Sequence, residues 1–465
     1  MARSGKVVTK PARGTRDFLP ADLYRRQHVI GVIRDVYRAH GFEPLETPTY
    51  ERLDTLTGKY GDEGDQLMFK ILHRGQTLVD GIREAQDFLQ APGNIVVGRS
   101  GETAPGAERL LSDLGLRYDL TVPLARVVAE YSGKVPPIFK RFQIQPVWRA
   151  DNPGKARYRE FVQCDLDVVG SPSLLAETEV TGAVALCFDR LGFEDHEIRI
   201  NHRALLRALI DKAGISVDLE TVAIVAIDKL DKMDHDAVKA EMVTKGVPAA
   251  SAATLLDLVT SASSLDALAE TMADHEQGAA AVRDIQTVLK LAENTPARGR
   301  LVFDPTLARG LGYYTGCIFE MRVSDLGSSL GGGGRYDGLI GMFCGRQIPA
   351  CGFSIGLDRV IYVMEQRGLF PKGLGAPEVL VATTEKGKEV ELTQIAYRLR
   401  QEGLRVQLHP KPDKAGKMRK MTDERGIGSL VLLRHQADQV NVWRRESPDV
   451  TDRMIEISEL PSALR

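Results

Sequence analysis

A chain of 465 residues with 43% hydrophobic content and a formal net charge of -2 is too long for one ordinary core and too nearly neutral to attract a polyanion as a whole. It holds no run of about 18 uninterrupted apolar residues, and its basic first ten residues lack the apolar segment of a secretory signal, so no membrane association and a cytoplasmic place are expected. The cysteines, Cys164, Cys187, Cys317, Cys344 and Cys351, form no C-x-x-C pair and the histidines show no ligand spacing, which argues against a structural zinc or a disulfide framework.

In chain order, Leu23, Val29, Val32, Ile33, Val36 and Tyr37 recur at near-helical spacing before Gly41, which predicts a helix over 22–40. Residues 42–48 hold two prolines and are expected to run extended. Strand-like segments follow at 116–122, 137–149, 160–169 and 197–201. Their spacing is too irregular for a βαβ repeat, so an α+β fold is expected, with an antiparallel sheet flanked by helices. Between 205 and 300 the composition turns to Ala, Asp, Leu and Lys, the mark of an inserted helical module with no chemistry of its own. Sheet-like sequence resumes at 301 and ends in a helix over 357–367. Beyond the linker-like Gly373-Leu-Gly-Ala-Pro377, a strand at 378–383, a helix at 390–401 and strands at 404–408 and 429–433 predict a small α/β domain. The expected division is 1–204 and 301–372 for the two parts of a core, 205–300 for the insertion and 376–465 for the last domain.

Several segments carry chemistry. In Arg117-Tyr-Asp-Leu-Thr-Val-Pro123, two-residue alternation sets Arg117, Asp119 and Thr121 on one strand face. In Phe161-Val-Gln-Cys-Asp-Leu-Asp-Val-Val169 it does the same for Gln163, Asp165 and Asp167. Two such faces make a pocket floor or, equally in pattern, a solvated outer face. Before the second strand, a loop after Arg149 returns through Arg157, and two guanidinium groups there suit one anion. The run Gly331-Gly-Gly-Gly-Arg-Tyr-Asp-Gly338 reads as a glycine-rich loop that lets backbone approach a ligand. In Cys351-Gly-Phe-Ser-Ile-Gly-Leu-Asp-Arg359, a strand turns into a helix whose first turn holds Arg359. Finally, Leu307-Ala-Arg-Gly-Leu-Gly-Tyr-Tyr-Thr-Gly316 leads Arg309 through a glycine bend into a predicted strand, with Tyr313 and Tyr314 on opposite faces.

Together with Arg13-Gly-Thr-Arg-Asp-Phe-Leu-Pro20 and Tyr60-Gly-Asp-Glu-Gly-Asp-Gln-Leu-Met-Phe69, these runs resemble the histidyl-tRNA synthetases, a class II family, over almost the entire chain. The resemblance implies a homodimer formed through residues 22–49, a catalytic antiparallel sheet interrupted by a helical insertion, and a C-terminal anticodon-binding domain. It implies ATP and Mg2+ as cofactors, L-histidine and tRNA(His) as substrates, and a histidyl-adenylate intermediate. Arg149 and Arg309 would hold the α-phosphate and the attacking carboxylate, and Arg157 and Arg359 the outer phosphates. Phe161 and Arg359 would sandwich the adenine, and Asp151 would meet its amino group in place of the glutamate of many bacterial members. Asp119, Thr121 and Gln163 match the positions that hold the α-ammonium, and Asp167 and Tyr314 those left for the imidazole, with Tyr313 and Tyr336 in the same histidine pocket.

Two departures stand out. Gly312 replaces the family's usual acid in the tyrosine run, and the altered loop after Arg149 bears on how the extra 5′ nucleotide of tRNA(His) is met. Lys411, Lys414, Lys417, Arg419 and Lys420 form a basic cluster suited to RNA or to solvent. The rival reading is a non-catalytic paralogue that regulates ATP phosphoribosyltransferase; it lacks the tyrosine run and the last domain, whereas this chain carries both.

Overall fold

The computed structural model describes residues 9–59, 61–90, 107–230, 233–261, 264–308, 312–324, 327, 329–434, 439–445 and 453–464. The chain divides into two compact units, Met1–Asp17 with Arg26–Arg367, and Phe18–Arg25 with Gly368–Arg465.

The strands of the first unit are β1 (Glu43–Pro44), β2 (Tyr50–Arg52), β3 (Lys70–Ile71), β4 (Leu114–Leu116), β5 (Phe139–Trp148), β6 (Glu160–Val169), β7 (Glu197–His202), β8 (Leu301–Phe303), β9 (Cys317–Arg322), β10 (Gly331–Arg335) and β11 (Ala350–Gly356). Eight of them form one sheet in the order β1-β5-β6-β11-β10-β9-β7-β8. Every pairing from β5 to β7 is antiparallel, and only the outermost strands, β1 and β8, pair in parallel. The expected α+β class is therefore observed. The first helix, Pro20–Ala39, buries Val29, Ile33, Val36 and Tyr37, and the Tyr37 hydroxyl donates to the Cys164 carbonyl of β6 at 3.1 Å. Helix Leu175–Arg190 packs on β11 and is buried almost throughout 176–188, which explains its run of small and apolar residues there.

Covering the sheet in this way changes what its polar face means. On β6 both faces are buried from Gln163 onward, so the alternating Gln163, Asp165 and Asp167 face the interior and not solvent. Their partners in register on β5 are Gln145, Gln143 and Arg141, a second polar row. Buried polar groups persist only where they are paired or bind something, so this interior face is the natural place for a site.

One strand expectation fails. Only Leu114–Leu116 is a strand; Thr121 opens helix Thr121–Glu130, with Pro123 tolerated in its first turn. Arg117 is 1% exposed and donates to the carbonyls of Pro146 at 2.8 Å and Thr47 at 2.6 Å. It fastens the segment that delivers Asp119.

Helices Arg203–Lys212, Glu220–Ile227, His235–Thr244, Ala249–Ser261, Leu265–Thr271 and Glu276–Ala292 occupy the stretch read as an inserted helical module. Two of their starts show polar side-chain caps: Asp234 accepts from Ala237 N–H at 2.8 Å and Ser264 from Ala267 N–H at 3.2 Å.

The second unit contains β12 (Val379–Thr383), β13 (Val406–Leu408), β14 (Ser429–Leu433), β15 (Gln439–Arg444) and β16 (Arg453–Glu456), ordered β13-β12-β14-β15-β16. β12 lies parallel to both neighbours and is buried on both faces, which accounts for its continuous apolar run. Val379 and Val381 pack with helix Glu389–Gln401, whereas Leu380 and Ala382 pack with Met418 of helix Ala415–Glu424.

Candidate active site

The antiparallel hairpin of β5 and β6 is continued beyond Trp148 and Glu160 by a bond from the Arg149 N–H to the Arg159 carbonyl at 2.9 Å, which sets the loop 149–159 at the edge of a cavity of about 410 Å³. Arg149 lies with its guanidinium carbon 4.3 Å from the ring centre of Tyr118 and 5.3 Å from that of Phe161, and its Nε donates to the Tyr118 carbonyl at 3.1 Å. Two flat faces hold the group in place. Arg157 pairs with Asp151 at 2.8 Å, so the loop's acid and its second cation constrain each other. Arg359 sits in the first turn of helix Leu357–Arg367, directly after β11, and donates to the Ser329 carbonyl at 2.7 Å. Beside it, buried Asp358 accepts from Arg16, from Arg26 and from the Val162 N–H, the last at 3.1 Å. That acid was not singled out in the sequence, and it joins the first helix and β6 to the turn that presents Arg359.

The same cavity carries acids and phenols. Asp119 is 1% exposed; its Oδ1 accepts from the Val122 N–H at 3.1 Å and its Oδ2 from the Tyr313 hydroxyl at 3.2 Å. Tyr313 and Tyr314 meet edge to face with centroids 5.1 Å apart, and both line the cavity. They do not diverge across a strand, because the chain is still turning here and β9 begins only at Cys317. The glycine-rich segment 331–334 is likewise a strand, not a loop. Glycine is required opposite Tyr314, since a Cβ on Gly334 would lie 2.9 Å from that ring. Gly352 plays the same part for Asp167, whose Oδ1 occupies the space a Cβ would take.

Asp167 and Tyr336 are buried and lie outside the cavity lining. The Tyr336 hydroxyl donates to Asp167 Oδ1, while Oδ2 lies 2.8 Å from Arg141 Nη2. Arg141 is fully buried, and sequence reasoning passed it over. Its signal was present in the polar alternation Arg141, Gln143, Gln145 along β5. Burial raises the Asp167 carboxyl above its ordinary range against the pull of Arg141, and burial likewise raises Tyr314, with Asp167 and Asp119 adding to it. Asp165, behind Gln163, is pushed up to about 7 by burial, opposed by Arg141.

Of the residues singled out in the sequence, Asp119, Thr121, Arg149, Asp151, Arg157, Phe161, Gln163, Tyr313, Tyr314 and Arg359 all line this one cavity. Arg309 and Tyr60 lie outside the described residues.

The model of the family described as histidyl-tRNA synthetase matches residues 14–83 and 110–360. A histidine–tRNA ligase of Flavobacterium johnsoniae is 39% identical over 455 residues, covering 94% of this chain and 95% of its own. One of Leifsonia xyli subsp. xyli is 41% identical over 405 residues, covering 86% and 89%. Among solved structures, histidyl-tRNA synthetase from Nostoc sp. PCC 7120 superposes with a TM-score of 0.80 at 26% identity, over 99% of both chains. With a family model that matches residues 14–83 and 110–360 and relatives that match nearly end to end, the chain belongs to the histidyl-tRNA synthetase family.

Proposed function

We propose that the protein ligates L-histidine to tRNA(His) at the expense of ATP, through a histidyl-adenylate. The observation that carries the reading is a single cavity lined by three arginines, Arg149, Arg157 and Arg359, and also by Asp119, Gln163, Tyr313 and Tyr314. The first set suits a bent triphosphate and the second a zwitterion with an imidazole. Little covalent work falls to the protein. The histidine carboxylate attacks the α-phosphorus of ATP in line and displaces pyrophosphate, giving the adenylate from which the acyl group passes to tRNA with release of AMP; catalysis consists of holding the reactants in place and neutralising charge on the phosphate oxygens.

In this reading Arg149 holds the α-phosphate and the attacking carboxylate, a role shared with Arg309. Arg157 and Arg359 take the outer phosphates, and Phe161 with Arg359 encloses the adenine, whose amino group meets Asp151. Arg149 lies against two aromatic rings and needs little reorganisation, whereas Arg157 is 54% exposed on its side chain and, among the described residues, its guanidinium pairs only with Asp151. Asp119, Thr121 and Gln163 receive the α-ammonium. Tyr314 meets the imidazole from the cavity wall, and Asp167, buried behind that wall, would supply the acceptor, a pairing that favours histidine over side chains that lack either group. Tyr313 and Tyr336 brace Asp119 and Asp167 by their hydroxyls.

Mg2+ fits as an ion carried by ATP. No group of three His, Cys, Asp or Glu among the described residues is placed to hold a metal, and the nearby acids Asp151 and Asp358 face arginines. The ion would lie on phosphate oxygens and supply charge neutralisation there. The domain roles follow the same reading: 1–204 and 301–372 form the catalytic core, 205–300 an insertion, and 376–465 the anticodon-binding domain. Lys414, Lys417 and Lys420, all exposed, would face RNA, and residues 22–49 would form a homodimer contact. No helix of the described residues is long and apolar enough to cross a membrane, and a cytoplasmic place accompanies the activity.

The test is charging of tRNA(His) with labelled histidine by the purified full chain. Charging that requires both ATP and histidine is expected. Absence of charging, with tight binding of an ATP phosphoribosyltransferase instead, would favour the regulatory paralogue.

A further inference from the structure

We propose that the segment 12–16 holds the ATP end of the cavity in shape, with Arg16 as a positioning residue that bridges Tyr158 of the loop 149–159 to Asp358 beside Arg359. The inference rests on the nucleotide roles given above to Phe161 and Arg359, and it gives a task to part of the run Arg13-Gly-Thr-Arg-Asp-Phe-Leu-Pro20.

The segment is shaped by its glycine. The Thr15 N–H donates to the Ala12 carbonyl at 3.0 Å and closes a four-residue turn, in which Gly14, at the third place, has a φ of +84°, a left-handed value that favours glycine. The Gly14 carbonyl accepts from the Arg159 N–H at 2.7 Å, so the turn docks on the returning arm of the loop 149–159. No side chain fits between them, since a Cβ on Gly14 would lie 2.7 Å from Arg159 Cγ.

Two residues on, Arg16 makes two unlike contacts. Its guanidinium carbon lies 3.8 Å from the centre of the Tyr158 ring, and its Nη2 donates to Asp358 Oδ1. Tyr158 and Asp358 both line the cavity, whereas Arg16 stands behind them. A planar guanidinium can turn its face to a ring and its edge to a carboxylate at once, which the compact ammonium of lysine cannot. Asp358 in turn accepts from the Val162 N–H at 3.1 Å through its Oδ2, and it precedes Arg359 in the first turn of helix Leu357–Arg367. Arg16 thus acts through one acid on the peptide that follows Phe161 and on the turn that carries Arg359, the two groups that enclose the adenine. Together with Arg26 it also offsets the charge of a carboxylate that borders a site for a triphosphate. Without Arg16 the acid would still face Arg26 and the Val162 N–H, so the fold should survive its loss.

The experiment is steady-state ATP–pyrophosphate exchange by the full chain, fitting KM for ATP and for histidine separately. Arg16→Ala is expected to raise the ATP KM about 10-fold, the scale of one hydrogen bond to a charged group, and to leave the histidine KM within about twofold of the parent. Arg16→Lys keeps the charge without the flat face and is expected to raise the ATP KM about 5-fold. Gly14→Ala should raise it as well, and the double variant Gly14→Ala with Arg16→Ala should fall short of the product of the two effects, because both loosen one segment. The proposal is overturned if Arg16→Ala leaves the ATP KM unchanged or raises both KM values alike, if Arg16→Lys behaves as the parent, or if the paired effects multiply in full. Arg359→Ala is the control: should it leave the ATP KM unchanged, the nucleotide reading itself fails, a distinct result. If Arg16→Ala does not fold, Arg16→Lys still decides the matter.

Discussion

Asp167→Ala is expected to lower histidine activation by about 10⁴-fold while changing the ATP KM little, because a site built to pair a polar group discriminates by that order once its partner is missing. The carboxylate is 2% exposed, accepts from Tyr336 and faces Arg141, and it interacts electrostatically with Tyr314 on the cavity wall. Its Oδ1 position is open only because residue 352 is glycine. Removing it would take away the acceptor proposed for the imidazole N–H and would also leave Tyr336 and Arg141 without this carboxylate. Pyrophosphate exchange, with histidine and ATP varied in turn, checks the outcome. Equal losses in the two substrates would mean that Asp167 serves the cavity as a whole and not the choice of histidine.

Arg141→Met is expected to cost about 3–5 kcal/mol of stability, since breaking a buried pair leaves an uncompensated charge. Arg141 is fully buried, its Nη2 is 2.8 Å from Asp167 and 3.3 Å from the Leu120 carbonyl, and its Nη1 donates to Gln143 Oε1 at 3.4 Å. Urea unfolding measures the loss. Combining Arg141→Met with Asp167→Leu replaces the pair by apolar side chains and should recover most of that stability, because well-packed hydrophobic replacements of buried pairs are commonly neutral. Histidine activation should stay lost in the double variant. A single-variant loss below about 1 kcal/mol, the range of exposed pairs, would contradict the buried pairing.

Much of the site was legible where a local rule acted alone. The β5–β6 hairpin was legible as two strand-like runs about the turn-forming Asp151-Asn-Pro-Gly154, and the helix Leu357–Arg367 was bounded to the residue. What failed depended on packing. The alternation of 117–122 was read as a strand, yet Arg117 is drawn inward by backbone carbonyls and a helix opens at Thr121. Four consecutive glycines look like a loop, but β9 and β11 hold them as a strand from both sides, a tertiary effect that propensity does not carry. Tyr313 and Tyr314 were expected to part and instead converge, since two adjacent residues share a surface when the chain turns. Arg141 was visible in principle: Arg141, Gln143 and Gln145 lie in register with Asp167, Asp165 and Gln163, and two facing polar rows within a buried sheet signal a site. That reading needs the register, which the sequence of one strand does not contain.

The measurement that bears most directly on the account is ATP–pyrophosphate exchange by the full chain with each of the common amino acids supplied alone. If arginines around a triphosphate and an acid with a phenol around an imidazole define this cavity, histidine alone supports exchange at a substantial rate. Exchange of comparable speed with several amino acids, or none with histidine, would contradict it.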